Sequence, residues 1–256
     1  MAGRQRTPQT LDRALRLLIE LSRRRNMGWR LSDLARECRL DLATASRLLG
    51  GLAAHGFVAR RGSDRHFIIG PELLNLGFAA DYHSDFVRAA EAAAREVAAE
   101  TRQIAFVFVQ SGDDFVCVAR SGRSGLKALG IQVGTRRALL LSAGGVAILL
   151  ALPNAIRTAI IDENRARLAR AKDERTPGIE RMLRRSLRLR YALNSNDIVP
   201  GITAVGVGVS LPIPWRAASI LIAGPSDALD ERAIERAAGV LERSCAALHA
   251  ACVVPG

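Results

Sequence analysis

The chain has 256 residues, 49% of them apolar, and a formal net charge of +12. That length suffices for two domains with cores of their own, and the apolar content excludes a disordered chain. The opening MAGRQRTPQT lacks the apolar core of a secretory signal. In chain order, TLDRALRLLIELSRR places Leu11, Ala14, Leu15, Leu18 and Leu21 or Ile19 on one side of a first helix, which the loop RNMGW breaks. LSDLAREC predicts a short second helix with Ser32 as cap and Leu34, Ala35 and Cys38 inward. After the loop RLDL, a third helix buries Leu48, Leu49, Leu52 and Ala53 and stops at Gly56. FVARR and RHFIIG, joined by GSD, read as a hairpin. Three helices followed by a basic hairpin make a winged helix-turn-helix, which places its third helix in the major groove of DNA.

Charge agrees with that reading. Residues 1–80 hold 14 Arg against 7 Asp and Glu, whereas residues 81–256 hold 23 Lys and Arg against 18. The surplus is densest at the N-terminus and favours an anionic partner there. Arginine is abundant throughout, with Lys127 and Lys172 the only lysines, so composition alone leaves coding bias open. The small residues Ala43, Thr44, Ala45 and Ser46 give the third helix clearance to approach a duplex. Thr44 and Ser46 can donate hydrogen bonds, and Arg47 can reach a guanine or a phosphate. Arg60, Arg61 and Arg65 bracket the hairpin turn, where they would meet the minor groove or the backbone, and Arg4 and Arg6 add a basic N-terminal arm. The competing reading is a small helical scaffold in which Thr44 and Ser46 only cap a helix and the arginines form a solvated face.

Further along, SDFVRAAEAAAREVAAETRQ is an alanine-rich helix able to link two domains. IAFVFVQ and FVCVARSG, separated by GDD, predict a hairpin. ALLLSAGGVAILLALP at 138–153 is the most apolar run. It is shorter than the roughly 20 residues a bilayer requires, so it reads as a buried helix near 142–152, and no membrane partner is expected. Helices near 154–163 and 177–190, strands ITAVGVGVSLP and AASILIAG turning around Pro214, and a last helix from Asp227 to Cys252 complete a sheet of mixed partners with helices at its sides. Cys38, Cys117, Cys245 and Cys252 have no metal-ligand spacing, and His55, His66, His83 and His249 are scattered. Reduced thiols in a cytoplasmic protein, with no metal and no cofactor, are the expectation. An enzyme would have to use Ser142 as nucleophile or Asp113 and Asp114 as acids, and no histidine stands in a suggestive relation to either.

The N-terminal run TLDRALRLLIEL, LSDLARECRL, TASRLLGGLAAHGFVAR and HFIIGPELLNLG resembles the winged-helix domain of IclR-type bacterial transcription regulators. The likeness continues through VCVARSG, VGTRRALLLSAGGVAILLALP, RYALNSNDIVPGITAVGVGV and ASILIAGP to nearly the whole chain. The resemblance implies an α+β chain: a winged helix-turn-helix DNA-binding domain over 1–80, a linker helix over 81–101, and a GAF-like α/β effector-binding and oligomerisation domain over 102–256. Its implied partners are a double-stranded DNA operator, a small-molecule effector, and further copies of the chain in a homodimer or tetramer. By the same analogy the effector pocket lies between the start of the buried helix and the late strands. Ser142, Ala143 and Gly144 could offer backbone N–H groups to a carboxylate there, although Gly144 equally permits close packing of helix on sheet. Where many relatives carry a histidine and a lysine, this chain has Leu140 and Val146. Where binders of small polar acids have an acidic residue, a cysteine and two serines, it has Asn194, Ala204, Leu221 and Ala223. Such walls leave the polar groups of a hydrophilic acid unpaired, so the expected effector is a more hydrophobic acid or catabolic intermediate.

Overall fold

The computed structural model describes residues 8–24, 27–79, 81–122, 130–212 and 217–252. The chain divides into two compact units, residues 1–84 and 85–256. Arg4, Arg6 and the turn at Pro214 lie outside the described residues.

The first unit is built from helices α1 (Gln9–Arg23), α2 (Leu31–Glu37) and α3 (Leu42–Ala54), strands β1 (Val58–Arg60) and β2 (Phe67–Ile69), and helix α4 (Glu72–Phe78). Its core joins Leu17, Leu21, Trp29, Leu34, Leu49, Val58 and Phe67. The face of α1 agrees with expectation at Leu21, which is buried, and at Leu18, which packs partly buried against the core, and differs elsewhere. Leu17 and Leu21 turn inward, while Leu11, Leu15 and Ile19 stand exposed as a second apolar stripe. Ser32 does not cap α2, whose N-cap is Arg30 without a side-chain bond. Helix α3 is capped instead by Asp41, whose Oδ1 accepts from the Thr44 N–H at 2.7 Å. It ends before Gly56, which takes φ +73, a left-handed conformation that suits glycine. The wing pairs Val58 with Ile69 and Arg60 with Phe67, and Trp29 adds an isolated bridge to Phe67.

The second unit contains α5 (Asp81–Thr101), which begins in the first, then β3 (Ile104–Ser111), β4 (Asp114–Ser121), β5 (Arg136–Ala138), a 3-10 turn at Leu139–Leu141, α6 (Ala143–Ala151), α7 (Asn154–Ala171) and α8 (Thr176–Ser186). Strands β6 (Ala192–Ser195), β7 (Ile202–Ser210) and β8 (Ala217–Pro225) and helix α9 (Glu231–Cys252) follow. The six strands lie in the order β5-β4-β3-β8-β7-β6. Every pairing is antiparallel, not mixed as expected.

Strand alternation gives the sheet two apolar faces. Ala105, Val107, Ala218, Ile220 and Ile222 face α5 and α9, so α5 is a layer of this core as well as a connection. Phe106, Phe108, Ala204, Leu221 and Ala223 face α6, α7 and α8. Helix α6 lies close on that second face because side chains are missing at the contact. A Cβ on Gly144 would stand 2.6 Å from Phe108 Cδ2 and 2.8 Å from Leu221 Cδ2, and one on Gly208 would collide with the Ala147 carbonyl. Asn164 of α7 is fully buried and fixes the approach to α6. Its Oδ1 accepts from the Leu140 N–H at 3.1 Å, and its Nδ2 donates to the Asp113 carbonyl at 2.9 Å.

Candidate functional site

In the first unit, Asp41 sets the start of α3. Its carboxylate takes the Thr44 N–H first and the Thr44 side chain second, which holds it below the usual carboxylate range. Thr44 is thereby half-buried and partly committed to the cap. Ala45 faces the core rather than a duplex. Ser46 and Arg47 point to solvent, and among the described residues Arg47 makes no hydrogen bond or ion pair. The wing arginines divide. Arg60 is exposed with its guanidinium 4.7 Å above the Phe67 ring centroid, and Arg65 is exposed at the tip with φ 57. Arg61 instead braces the wing, pairing with Asp64 and donating to the Met27 carbonyl at 3.0 Å. Its hydrogen bond also holds the Asp64 carboxyl well below the ordinary range. Of the three wing arginines, Arg60 and Arg65 are thus the exposed ones.

In the second unit, a cavity of about 470 Å³ opens where the start of α6 meets the sheet. Of the nine positions expected there, Ser142, Ala143, Asn194, Ala204, Leu221 and Ala223 line it. The other three lie outside that lining. Leu140 and Val146 are fully buried in the core under α6, and Gly144 is in contact with Phe108 and Leu221. Its glycine serves close packing.

The polar groups of the expected set are largely committed. Ser142 Oγ caps α6 by accepting from the Gly144 N–H at 3.2 Å, which leaves its own hydroxyl proton to offer. Asn194 organises the next loop: its Oδ1 accepts from the N–H groups of Asp197 and Ile198 at 3.1 and 3.2 Å, and its Nδ2 donates to the Ile202 carbonyl at 3.3 Å. That loop supplies Ile198 and Val199 to the rim.

Two charged residues that sequence reasoning missed also line the cavity, Arg137 and Arg175. Arg175 is matched by Asp173, with Nε–Oδ1 at 2.9 Å and Nη2–Oδ2 at 2.6 Å. Arg137 donates from Nη2 to the Gly130 carbonyl at 2.9 Å. Burial, and after it the nearby Arg175, disfavour the charge on Arg137 and push its pKa below the usual arginine value. Arg136 and Arg137 are adjacent on a strand, so their side chains leave on opposite faces. Arg136 goes to Asp114 at 2.9 Å, and Arg137 goes to the cavity.

Two of the three residues of the enzyme alternative have committed side chains, and the third is bound through its backbone. Ser142 is a helix cap, Asp114 is held by Arg136 and by Arg167 at 2.7 Å, and the Asp113 carbonyl receives Asn164. No cluster of three His, Cys, Asp or Glu that could hold a metal is found among the described residues, and among them no helix is long and apolar enough to cross a membrane.

Comparison with known proteins agrees with this architecture. Residues 10–62 match the IclR helix-turn-helix domain family. None of the curated proteins matches the sequence. Among solved structures, an IclR family transcriptional regulator from Brucella abortus is similar with a TM-score of 0.77 and 20% identity, over 99% of this chain and 95% of that one. A regulator of the same description from a Silicibacter species gives 0.76 and 17%, over 94% and 95%. An IclR homologue from Microbacterium hydrocarbonoxydans, solved with 4-hydroxybenzoate, gives 0.65 and 17%, over 96% and 100%. Residues 10–62 thus carry the IclR helix-turn-helix domain, and nearly the whole chain shares the fold of these solved regulators.

Proposed function

We propose that the protein is a cytoplasmic transcription regulator, not an enzyme, that reads a double-stranded operator with α3 and the wing, and whose operator binding is modulated by a small organic acid with an apolar body. The observation that carries the effector reading is the pairing of an apolar floor with a disfavoured cation. Phe106, Ala204, Leu221 and Ala223 offer the floor, and Arg137 stands in the same lining with its charge opposed by burial and by Arg175. An entering carboxylate would relieve that opposition while its hydrocarbon part leaves water. The relative solved with 4-hydroxybenzoate holds a ligand of this chemistry. Reading an operator calls for two copies, since paired half-sites mirror a two-fold dimer. The exposed stripe Leu11, Leu15 and Ile19 is an apolar surface suited to a homodimer or tetramer contact.

A thermal-shift screen of aromatic and aliphatic acids, each compared with its amide, tests the effector reading. A ligand at about 100 times its Kd adds roughly 2.7 kcal/mol, or about 5 to 10 °C in Tm for a domain of this size. Acids should shift melting and amides should not. A screen in which no acid shifts melting rejects the reading. Operator binding is tested by Arg47→Ala, which should reduce discrimination between operator and random DNA by about 1 to 3 kcal/mol. Equal losses on both would move Arg47 into the phosphate-gripping class.

A further inference from the structure

Helix α8 has a second face unrelated to the cavity. Ile179, Met182, Leu183 and Ser186 are buried against the sheet side. Arg181, Arg184 and Arg185 project from the rest of the helix and, with Arg188 and Leu189 in the turn after its end, line an open groove of about 390 Å³. The spacing i, i+3, i+4 places Arg181, Arg184 and Arg185 along one side of the helix, and Arg188 joins them at the groove from the following turn. Like charges one turn apart repel, and within the fold this repulsion is only partly relieved. A single carboxylate, Asp197, serves two of the arginines, with Arg185 at 2.6 Å and Arg181 at 3.4 Å. Glu180, whose carboxyl also feels Arg184, is held by Arg165 at 2.8 Å. Arg184 and Arg188 are exposed and make no hydrogen bond or ion pair among the described residues.

We infer that this arginine face of α8 is a second, sequence-independent contact for the phosphate backbone of duplex DNA. Guanidinium groups match phosphate oxygens bidentately, which a row of ammonium groups would not do. Each phosphate neutralised also releases condensed counterions, a gain that a solvated face forgoes. The inference rests on the DNA-binding reading, which supplies a polyanion as the partner already present.

The test uses the full chain carrying Arg184→Ala and Arg188→Ala together, which leaves the Asp197 ion pairs in place. Binding to a random-sequence duplex and to an operator fragment is measured from about 50 to 200 mM salt, beside Arg60→Ala in the wing. Each lost phosphate contact should shrink the affinity change across that range by roughly 3.5-fold. The α8 variant should therefore show a flatter salt dependence on both duplexes, with the operator-to-random ratio unchanged. Arg184→Lys with Arg188→Lys should restore much of the slope, and equal Tm values exclude misfolding as the cause. An unchanged slope in the α8 variant beside a flattened one in Arg60→Ala overturns this inference alone and hands the face to an acidic protein. Failure of the unaltered chain to bind any duplex overturns both the inference and the function it rests on.

Discussion

Arg137→Gln separates the effector's charge from its shape. The side chain lies in the cavity lining, and its cation is opposed first by burial and then by Arg175. Because its pKa in the fold is depressed, the charged form is less favourable in the folded chain than in the unfolded one, and removing the charge should leave Tm unchanged or raise it. Ligand binding should move the other way. Hydrogen bonds to charged groups contribute about 1.5 to 3 kcal/mol, so Kd for an acid should rise roughly 10- to 150-fold. Titration calorimetry with one acid from the screen and its primary amide, on both proteins, reads the effect directly. The unaltered chain should prefer the acid, and Arg137→Gln should bind the two alike. Arg175→Gln should lose less, since Asp173 already matches that charge. Equal weakening of acid and amide by Arg137→Gln, or a surviving preference for the acid, refutes the assignment of Arg137 as the anion's partner.

Three further outcomes follow from the packing. Leu221→Ser should destabilise the whole domain by about 4 kcal/mol, combining a buried leucine's truncation with an unpaired hydroxyl, because Leu221 is 2% exposed and packs under α6. Ala223→Ser, in the same wall and just as buried, adds the hydroxyl without truncating a side chain, so it should lower Tm less than Leu221→Ser and cut affinity for an apolar-bodied acid by roughly 1 to 3 kcal/mol in calorimetry. Asp114→Ala should cost about 3 kcal/mol at neutral pH, the low end for a buried ion pair, since Arg136 and Arg167 keep access to water. Burial raises the Asp114 pKa, but bonds from Arg167 and Arg136 outweigh it and leave it lowered. Its contribution is therefore full above the ordinary carboxylate range and vanishes as pH falls through the folded value, so urea midpoints of the two proteins should converge in acid.

The winged helix was legible because its signals are local. Gly56 follows the end of α3, and the GSD turn marks the hairpin between the two short strands. The side of α1 was not, because Leu11, Leu15 and Ile19 repeat every four residues just as the buried set does, and periodicity cannot choose between two apolar stripes. Strands β5 and β6, of three and four residues, are too short for alternation to show. Helix α7 outran its expected end at 163 because its second half is polar, held by pairs such as Arg170 with Glu163 rather than by an apolar stripe. For the cavity, the walls on regular strands were found and the charges were not. Arg175 comes from just before α8, a segment whose distance from the sheet no spacing reveals, and in a chain this rich in arginine no single one stands out.

The four thiols offer a use of their own. Cys117, Cys245 and Cys252 are buried, and half-buried Cys38 is pushed up to about 11, by burial first and then by Glu20 and Glu37. Burial likewise takes Cys245 to about 12. Since alkylation requires the thiolate, the raised pKa makes Cys38 slow to react near neutral pH. The natural chain is thus a quiet background for maleimide chemistry. A single cysteine introduced at Ser46 on α3 or at Leu187 after α8 would carry a fluorophore at a known address, with no need to strip the native cysteines from the core first.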